Sequence, residues 1–495
     1  MSTGMPRREF LLQAAAGATT TALAAGAATA QQTTKRRNMV FILIDDLRFD
    51  ALGFMGHPFL ETPNIDALAR GGMVFDRHFV TSSLCSPSRA TILTGLYAHK
   101  HGVFDNSTPL DSGIPTFPQL LQRAGYSTGF IGKWHMGGDS DEPRPGFSYW
   151  SSFRGQGVYQ DPVFNINGKQ KKIEGYVTDL ITDQAVEFLQ AAHDKPFFLY
   201  VSHKAVHAEF KPADRYKGCY KDKTYPHPAT MANTDENYRG KPAWVRAQRN
   251  SWHGVDGMYD KKVDFDQFAR DYAETMRAVD DSVGRIVASL KEQGLLESTL
   301  LVFTSDNGFQ FGEHGLIDKR TMYEASIRVP MIVHCPELVQ PGARCGEMTA
   351  TIDFAPTFLE SAGLSVPSGM QGISLQHLLD GTKPHWRESL LYEYFWERSF
   401  PQTPTVLGVR TRTHKFMRYH GIWDRYELYD LEHDPDETNN LLGEYLIETQ
   451  GGKLDGIIRS KAPEETRKLF ETMSRQLDKL LDDAGCLKEP TWRAG

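Results

Sequence analysis

Apolar runs of six or seven residues alternate along this chain with stretches of helical period. Four of the runs, MVFILI (39–44), YSTGFIG (126–132), PFFLYVS (196–202) and TLLVFTS (299–305), carry hydrophobic or small residues at nearly every position. That is the pattern of strands buried on both faces of a sheet rather than half-exposed ones. Tyr272, Met276, Val279, Val283, Ile286, Val287 and Leu290 recur at three- and four-residue spacing, with Gly294 behind them. This spacing predicts a long helix with one apolar stripe facing the core and a glycine stop. Strands alternating with helices imply an α/β fold: a large, mixed, mostly parallel sheet with helices on both faces.

From about Leu390 the pattern shortens. VLGVRTRTHKFMRYH and ELYDLEHDPDETNNL read as short strands joined by turns, and a helix follows near Glu464–Leu481. We therefore expect a catalytic domain over 31–390 and a smaller C-terminal α+β domain with an antiparallel sheet over 391–495. Between Ala205 and Asp266 the chain turns polar and rich in Pro, Gly, Tyr and Trp. Such a stretch predicts a long insertion at the mouth of a site, where recognition residues tend to lie.

The first thirty residues differ from all of this. Arg7-Arg8 precede a weakly apolar run of Ala, Gly and Thr that ends in Ala28-Thr29-Ala30. Residues 1–30 read as a cleaved export signal of twin-arginine type, placing the protein in the periplasm or outside the cell. No later stretch approaches membrane-spanning length. The 495 residues carry a formal net charge of -7, which argues against a nucleic-acid partner but leaves room for a small anionic substrate. The five cysteines, Cys85, Cys219, Cys335, Cys345 and Cys486, show no metal-finger spacing. Cys335 and Cys345 are placed to bridge across a Pro341-Gly342 turn.

The four buried runs share a polar C-terminal end. The first is followed by Asp45-Asp46, the second by Lys133, Trp134 and His135, the third by His203 and His207, and the fourth by Asp306-Asn307. Ligands of open α/β sheets bind outside the carboxyl ends of the strands, so these residues are expected to converge. Asp45, Asp46, Asp306 and Asn307 are hard oxygen donors that suit Ca2+ or Mg2+ rather than zinc. Lys133, His135, His207, Lys319 and Arg89 would surround a tetrahedral oxyanion ester with positive charge and hydrogen-bond donors, with His203 in support. Cys85 opens a helical pattern, where free N–H groups and the helix dipole would lower its pKa. A thiolate is nonetheless an awkward nucleophile toward an anionic ester, and the residues alone do not say how sulfur would serve.

CSPSRATILTG (85–95) resembles the C-x-P-S-R-x-x-x-L-T-G signature of the type I sulfatases, within the alkaline-phosphatase-like superfamily. ILIDDLR, GKWHMGG, TSDNGFQFGEHGL, KRTMYEASIRVP and ELYDLEHDPDETNNL extend the resemblance through most of the chain. It implies that Cys85 is the precursor of a formylglycine, made by a formylglycine-generating or sulfatase-maturating enzyme, whose hydrated aldehyde carries the attacking oxygen. By the same resemblance Asp45, Asp46, Asp306 and Asn307, with the modified Cys85, hold calcium in preference to magnesium, and Arg89 holds the hydrate. Lys133, Lys319 and His207 bind sulfate and protonate the leaving alcohol; His135 takes a proton from the remaining hydroxyl and so expels sulfate. Many relatives carry a proline next to the late histidine, where this chain reads SHKAVHAEF.

MQGISLQHLL and WRESLLYEYFWE resemble the branch of N-acetylglucosamine-6-sulfatases and bacterial glycan sulfatases, which implies a sulfated carbohydrate substrate. The sugar is expected between Ala205–Asp266 and Tyr392–Gln402. Two other readings stand beside this one: a phosphodiester or phosphonate monoester hydrolase using the same metal site, and a glycan-binding relative without activity.

Overall fold

A computed structural model describes residues 36–138, 140–191, 194–382, 385–446 and 454–488. The expected export signal lies outside the described residues. Ten strands form one sheet: β1 (Met39–Ile44), β2 (Met73–Phe79), β3 (Ser127–Lys133), β4 (Tyr149–Phe153), β5 (Val163–Ile166), β6 (Lys169–Lys172), β7 (Phe197–Ser202), β8 (Leu300–Ser305), β9 (Met331–His334) and β10 (Ala343–Ala350). Their order is β10-β2-β9-β8-β1-β7-β3-β4-β5-β6. The central strands β8, β1, β7, β3 and β4 run parallel. β9 runs against both its neighbours, and β5 and β6 add an antiparallel edge.

Alternate residues of each central strand enter different cores, as a period of two requires. Val40, Ile42, Leu199, Val201, Leu301 and Phe303 pack on one face with the helices Val177–Gln190 and Phe265–Glu292. Phe41, Leu43, Phe198, Tyr200 and Val302 pack on the other with the helices Cys85–Thr94 and Phe354–Ser361. The predicted stripe from Tyr272 to Leu290 lies on the Phe265–Glu292 helix, and all its members but the half-buried Val287 are fully buried. Each such aliphatic side chain contributes about 1.5–3 kcal/mol by leaving water.

A second, antiparallel sheet of four strands, β11 (Ser389–Tyr394), β12 (Thr405–Thr411), β13 (His414–His420) and β14 (Tyr426–Asp430), is covered by the Glu464–Ala484 helix. The Ala205–Asp266 stretch holds short helical turns and no strand among its described residues. No helix among the described residues is long and apolar enough to cross a membrane.

The expected bridge between Cys335 and Cys345 does not form. Cys335 follows β9 and Cys345 lies in β10, and β2 runs between those strands. Two strand spacings amount to roughly 9.5 Å, beyond the reach of a disulfide.

Candidate active site

β8, β1, β7 and β3 are neighbours in that order and parallel, so their C-terminal ends share one edge. Pairing runs on past the strands. Asp45 N donates to Ala205 O at 3.0 Å, Val206 N to Asp45 O at 2.8 Å, and Asp306 N to Ile44 O at 3.1 Å. The backbone is tightly bent here: Asp46 and His135 sit at φ 62° and 57°, a region that costs a non-glycine residue about 1–3 kcal/mol.

Beneath this edge lies the Cys85–Thr94 helix, buried at every position. Cys85 Sγ is 3.4 Å from Asp45 Oδ1 and 3.7 Å from Lys133 Nζ. One turn on, Arg89 spreads its guanidinium over three partners: Asp306 Oδ2 at 2.8 and 2.9 Å, Lys133 O at 2.7 Å and Ser202 Oγ at 2.6 Å. Lys133 Nζ donates to Asp45 Oδ2. Lys319 Nζ reaches both oxygens of Asp46 at 2.6 Å, and Asn307 Nδ2 donates to Asp46 Oδ1 at 2.6 Å. His207 Nε2 stands 3.9 Å from Asp46 Oδ2, while its Nδ1–H donates to Ala208 O at 2.5 Å. His135, two residues past Lys133, is buried with its carbonyl held by Ser86 Oγ.

The expected residues thus meet, with one exception. His203 turns into the core, where its Nε2 pairs with Ser282 Oγ of the Phe265–Glu292 helix at 3.1 Å. Strand alternation explains this, because the segment after β7 presents only some of its residues to the shared edge.

The thiol corrects a second expectation. The helix N-terminus does not activate Cys85: burial first, and the charge of Asp45 second, push its pKa up to about 12. A buried thiol of this kind is inert.

Burial opposes charge on all three carboxylates. At Asp45 Lys133, His207 and Arg89 together overcome it, and the pKa is held well below the usual range. At Asp46 burial and the charge of Asp45 win over Lys319, and the pKa rises. Burial and Asp45 push Asp306 up to about 7 despite Arg89. Burial, then Lys133, hold His135 well below its ordinary pKa; burial, then Lys319 and Lys133, do the same for His207. Both imidazoles are neutral near pH 7 and able to accept a proton.

Ligand oxygens of Asp45, Asp46 and Asp306 all lie within 4.8 Å of one another. Asn307 Oδ1 beside them is buried and has no hydrogen-bond partner among the described residues. An all-oxygen set of crowded carboxylates with a spare amide oxygen fits a hard divalent cation.

Several participants escaped the sequence reading. Gln156 Oε1 accepts from Lys133 Nζ at 2.5 Å, and nothing in FRGQGVYQ marks it. Tyr272 OH donates to Asp46 O at 3.0 Å and accepts from Arg48 N at 3.0 Å, so a residue of the core stripe also braces the site. Lys204, beside His203 on the same strand end, was the one with a signal. The two segments expected to hold the sugar do meet beside Lys319. His253 stands 3.5 Å from Asp318 and meets the Phe400 ring, tilted by 33°, at 4.7 Å, and Arg320 joins Asp318 at 3.0 Å to Glu397 at 2.7 Å.

The model of the family described as Sulfatase matches residues 37–364. The chain belongs to the sulfatase family. It is accordingly a sulfuric ester hydrolase by membership. Residues 312–459 also match the family described as N-sulphoglucosamine sulphohydrolase, C-terminal. An N-acetylglucosamine-6-O-sulfatase of Bacteroides thetaiotaomicron is 34% identical over 467 residues, covering 82% of each chain. The human N-acetylglucosamine-6-sulfatase is 32% identical, with 74% of this chain and 69% of its own length covered. Among solved structures, a protein in complex with its substrate D-glucosamine-2-N,6-O-disulfate superposes with a TM-score of 0.80 at 32% identity, covering 91% of this chain and 98% of that one. A phosphonate monoester hydrolase of Agrobacterium radiobacter shares the fold at 23% identity, with a TM-score of 0.72 over 90% of this chain and 96% of that one.

Proposed function

We propose that this enzyme removes a 6-O-sulfate from an N-acetylglucosamine or related amino sugar of a sulfated glycan, using a formylglycine made from Cys85. The observation that carries the proposal is the meeting of Cys85 with Asp45, Lys133 and Arg89 in one buried cage, with Lys319 and His207 against the neighbouring Asp46. The relatives that act on glucosamine 6-sulfates supply the substrate class.

An unmodified thiol at this position is both protonated and buried. A formylglycine hydrate would supply an oxygen nucleophile in its place, installed by a separate maturation enzyme. Asp45, Asp46, Asp306 and Asn307 would hold calcium, which would neutralise the crowded carboxylates and polarise a sulfate oxygen. Arg89 fixes the base of the cage and offsets part of the cost of charge on Asp306. Lys133 and Lys319 grip sulfate oxygens. His207, neutral between lysines, gains a proton once an anionic substrate offsets their charge, and it then faces the departing alcohol through Nε2. His135 stays neutral and serves as the base. The residues that meet around Arg320 would hold the sugar ring. The N-terminal segment supports export through the twin-arginine route to the periplasm or beyond.

The test is release of inorganic sulfate by protein made alongside a formylglycine-generating enzyme. The panel would hold 6-O-sulfated N-acetylglucosamine, its 3-O-sulfated isomer, 6-O-sulfated galactose and a matched aryl phosphodiester. Mass spectrometry of the tryptic peptide His78–Arg89 would report the aldehyde. Modified protein that cleaves the phosphodiester and no sulfate ester would refute the proposal. Cys85→Ala should abolish turnover while leaving the fold intact.

A further inference from the structure

Charge pairing at the strand ends leaves one cation over. Arg89 is paired with Asp306, Lys133 with Asp45, and Lys319 with Asp46. Lys204 stands two residues past β7, between the strands that deliver Asp45 and Lys133. It is 5% exposed, yet among the described residues no carboxylate pairs with it. Its ammonium instead lies 4.6 Å from the centre of the Tyr159 ring. That ring is fixed, because Tyr159 OH donates to His207 O at 2.7 Å, and His207 N donates to Lys204 O at 3.0 Å. Lys204 is therefore built into the His207 turn.

The charges that act on this ammonium are those of the site: Lys133 repels it, and Asp45 and Asp46 attract it. Burial, with Lys133, draws its pKa down to about 8, so it is still charged near neutrality. An aromatic face compensates a buried ammonium only in part, and a buried charge without a partner is among the costlier features a fold can keep. Such a feature persists where a ligand supplies the missing charge, which sets function against stability.

We infer that Lys204 is a substrate-binding residue, a third ammonium that joins Lys133 and Lys319 around the oxygens of the sulfate group. Tyr159 holds it in place, and the anion completes its pairing. The inference rests on the sulfatase reading above. It adds a cation that the signature residues do not include.

The experiment compares the full-length, matured protein with Lys204→Met, which keeps an unbranched apolar side chain over Tyr159 and drops the charge, and with Lys204→Arg. Three quantities are read: KM and kcat on 6-O-sulfated N-acetylglucosamine, the affinity for inorganic sulfate by calorimetry and by competitive inhibition, and Tm. Lys204→Met should raise KM and weaken inorganic sulfate by about tenfold or more, the loss of one charge-assisted contact, with a smaller change in kcat. Its Tm should stay level or rise, because an unpaired buried charge is gone. Lys204→Arg should recover part of the sulfate affinity. Unchanged sulfate affinity in Lys204→Met would overturn the inference. So would a fall in Tm and kcat at constant KM, which would mark a structural residue. Wild-type protein that carries the aldehyde and releases no sulfate would refute the sulfatase reading instead, and calorimetry with inorganic sulfate would still judge Lys204.

Discussion

Replacing Arg89 by methionine tests how the buried carboxylates are kept charged. Arg89 is 1% exposed and gives Asp306 two contacts, at 2.8 and 2.9 Å, besides its bonds to Lys133 O and Ser202 Oγ. Ser202 Oγ itself donates to Lys133 O at 2.7 Å, so that carbonyl keeps a partner in the variant. Asp306 does not keep a charged one, and removing one member of a buried ion pair costs about 3–5 kcal/mol. For 495 residues the unfolding entropy is about 1 kcal/mol per degree, so 4 kcal/mol is a fall in Tm of about 4 °C. Calorimetry in chelator should show that fall. With excess Ca2+ the fall should shrink, because the ion offsets the charge that Arg89 had balanced. Arg89→Lys should lie between, since a lysine keeps the charge without the fork. An equal fall with and without Ca2+, or none in chelator, would refute the account.

Four further outcomes are expected. Glu427 accepts from Tyr323, Tyr419 and Tyr429 inside the C-terminal sheet; Glu427→Leu strands buried hydroxyls and should cost about 3–5 kcal/mol by denaturant titration. Gly132 sits at φ 114°, and a Cβ there would meet Ser202 O at 1.9 Å; Gly132→Ala should therefore separate β3 from β7, and soluble, active protein would be the contrary result. At His99 burial lowers the pKa, but the hydrogen bond and charge of Glu393 at 2.6 Å outweigh it and raise it overall. A raised histidine stabilises the fold fully below its unfolded pKa near 6.5, and the contribution is lost as pH rises through the higher folded value. Tm of the wild type should thus decline with pH above about 6.5, and His99→Gln should flatten that slope. Ile286→Ala, at a fully buried position of the long helix, should cost about 2–5 kcal/mol by the same titration.

Much of the site was legible because its parts sit at strand ends, and strand ends are local events. A run such as MVFILI stops where Asp45 begins, and TLLVFTS stops at Asp306, so periodicity alone located the carboxylates. The helical stripe from Tyr272 to Leu290 was equally local. His203 and Lys204 mark the limit of that reasoning. They are adjacent in sequence at the same strand end and alternation sends them to opposite faces, but that His203 meets Ser282 and Lys204 meets the Tyr159 ring is decided by distant parts of the chain. Gln156 comes from a loop with no pattern at all.

By itself the sequence determined the strands, their polar ends, the long helix, the C-terminal antiparallel sheet and a signature that resembles the sulfatases. Only the tertiary structure decided that β8, β1, β7 and β3 are neighbours, that each carboxylate has its own cation, and that β2 keeps Cys335 from Cys345. It also decided that Cys85 is buried rather than activated. The reason is one of range. Hydrophobic periodicity depends on residues a few positions apart, whereas desolvation and charge balance depend on whatever lies within a few ångströms, and Lys319 pairs with Asp46 across 273 positions of the chain.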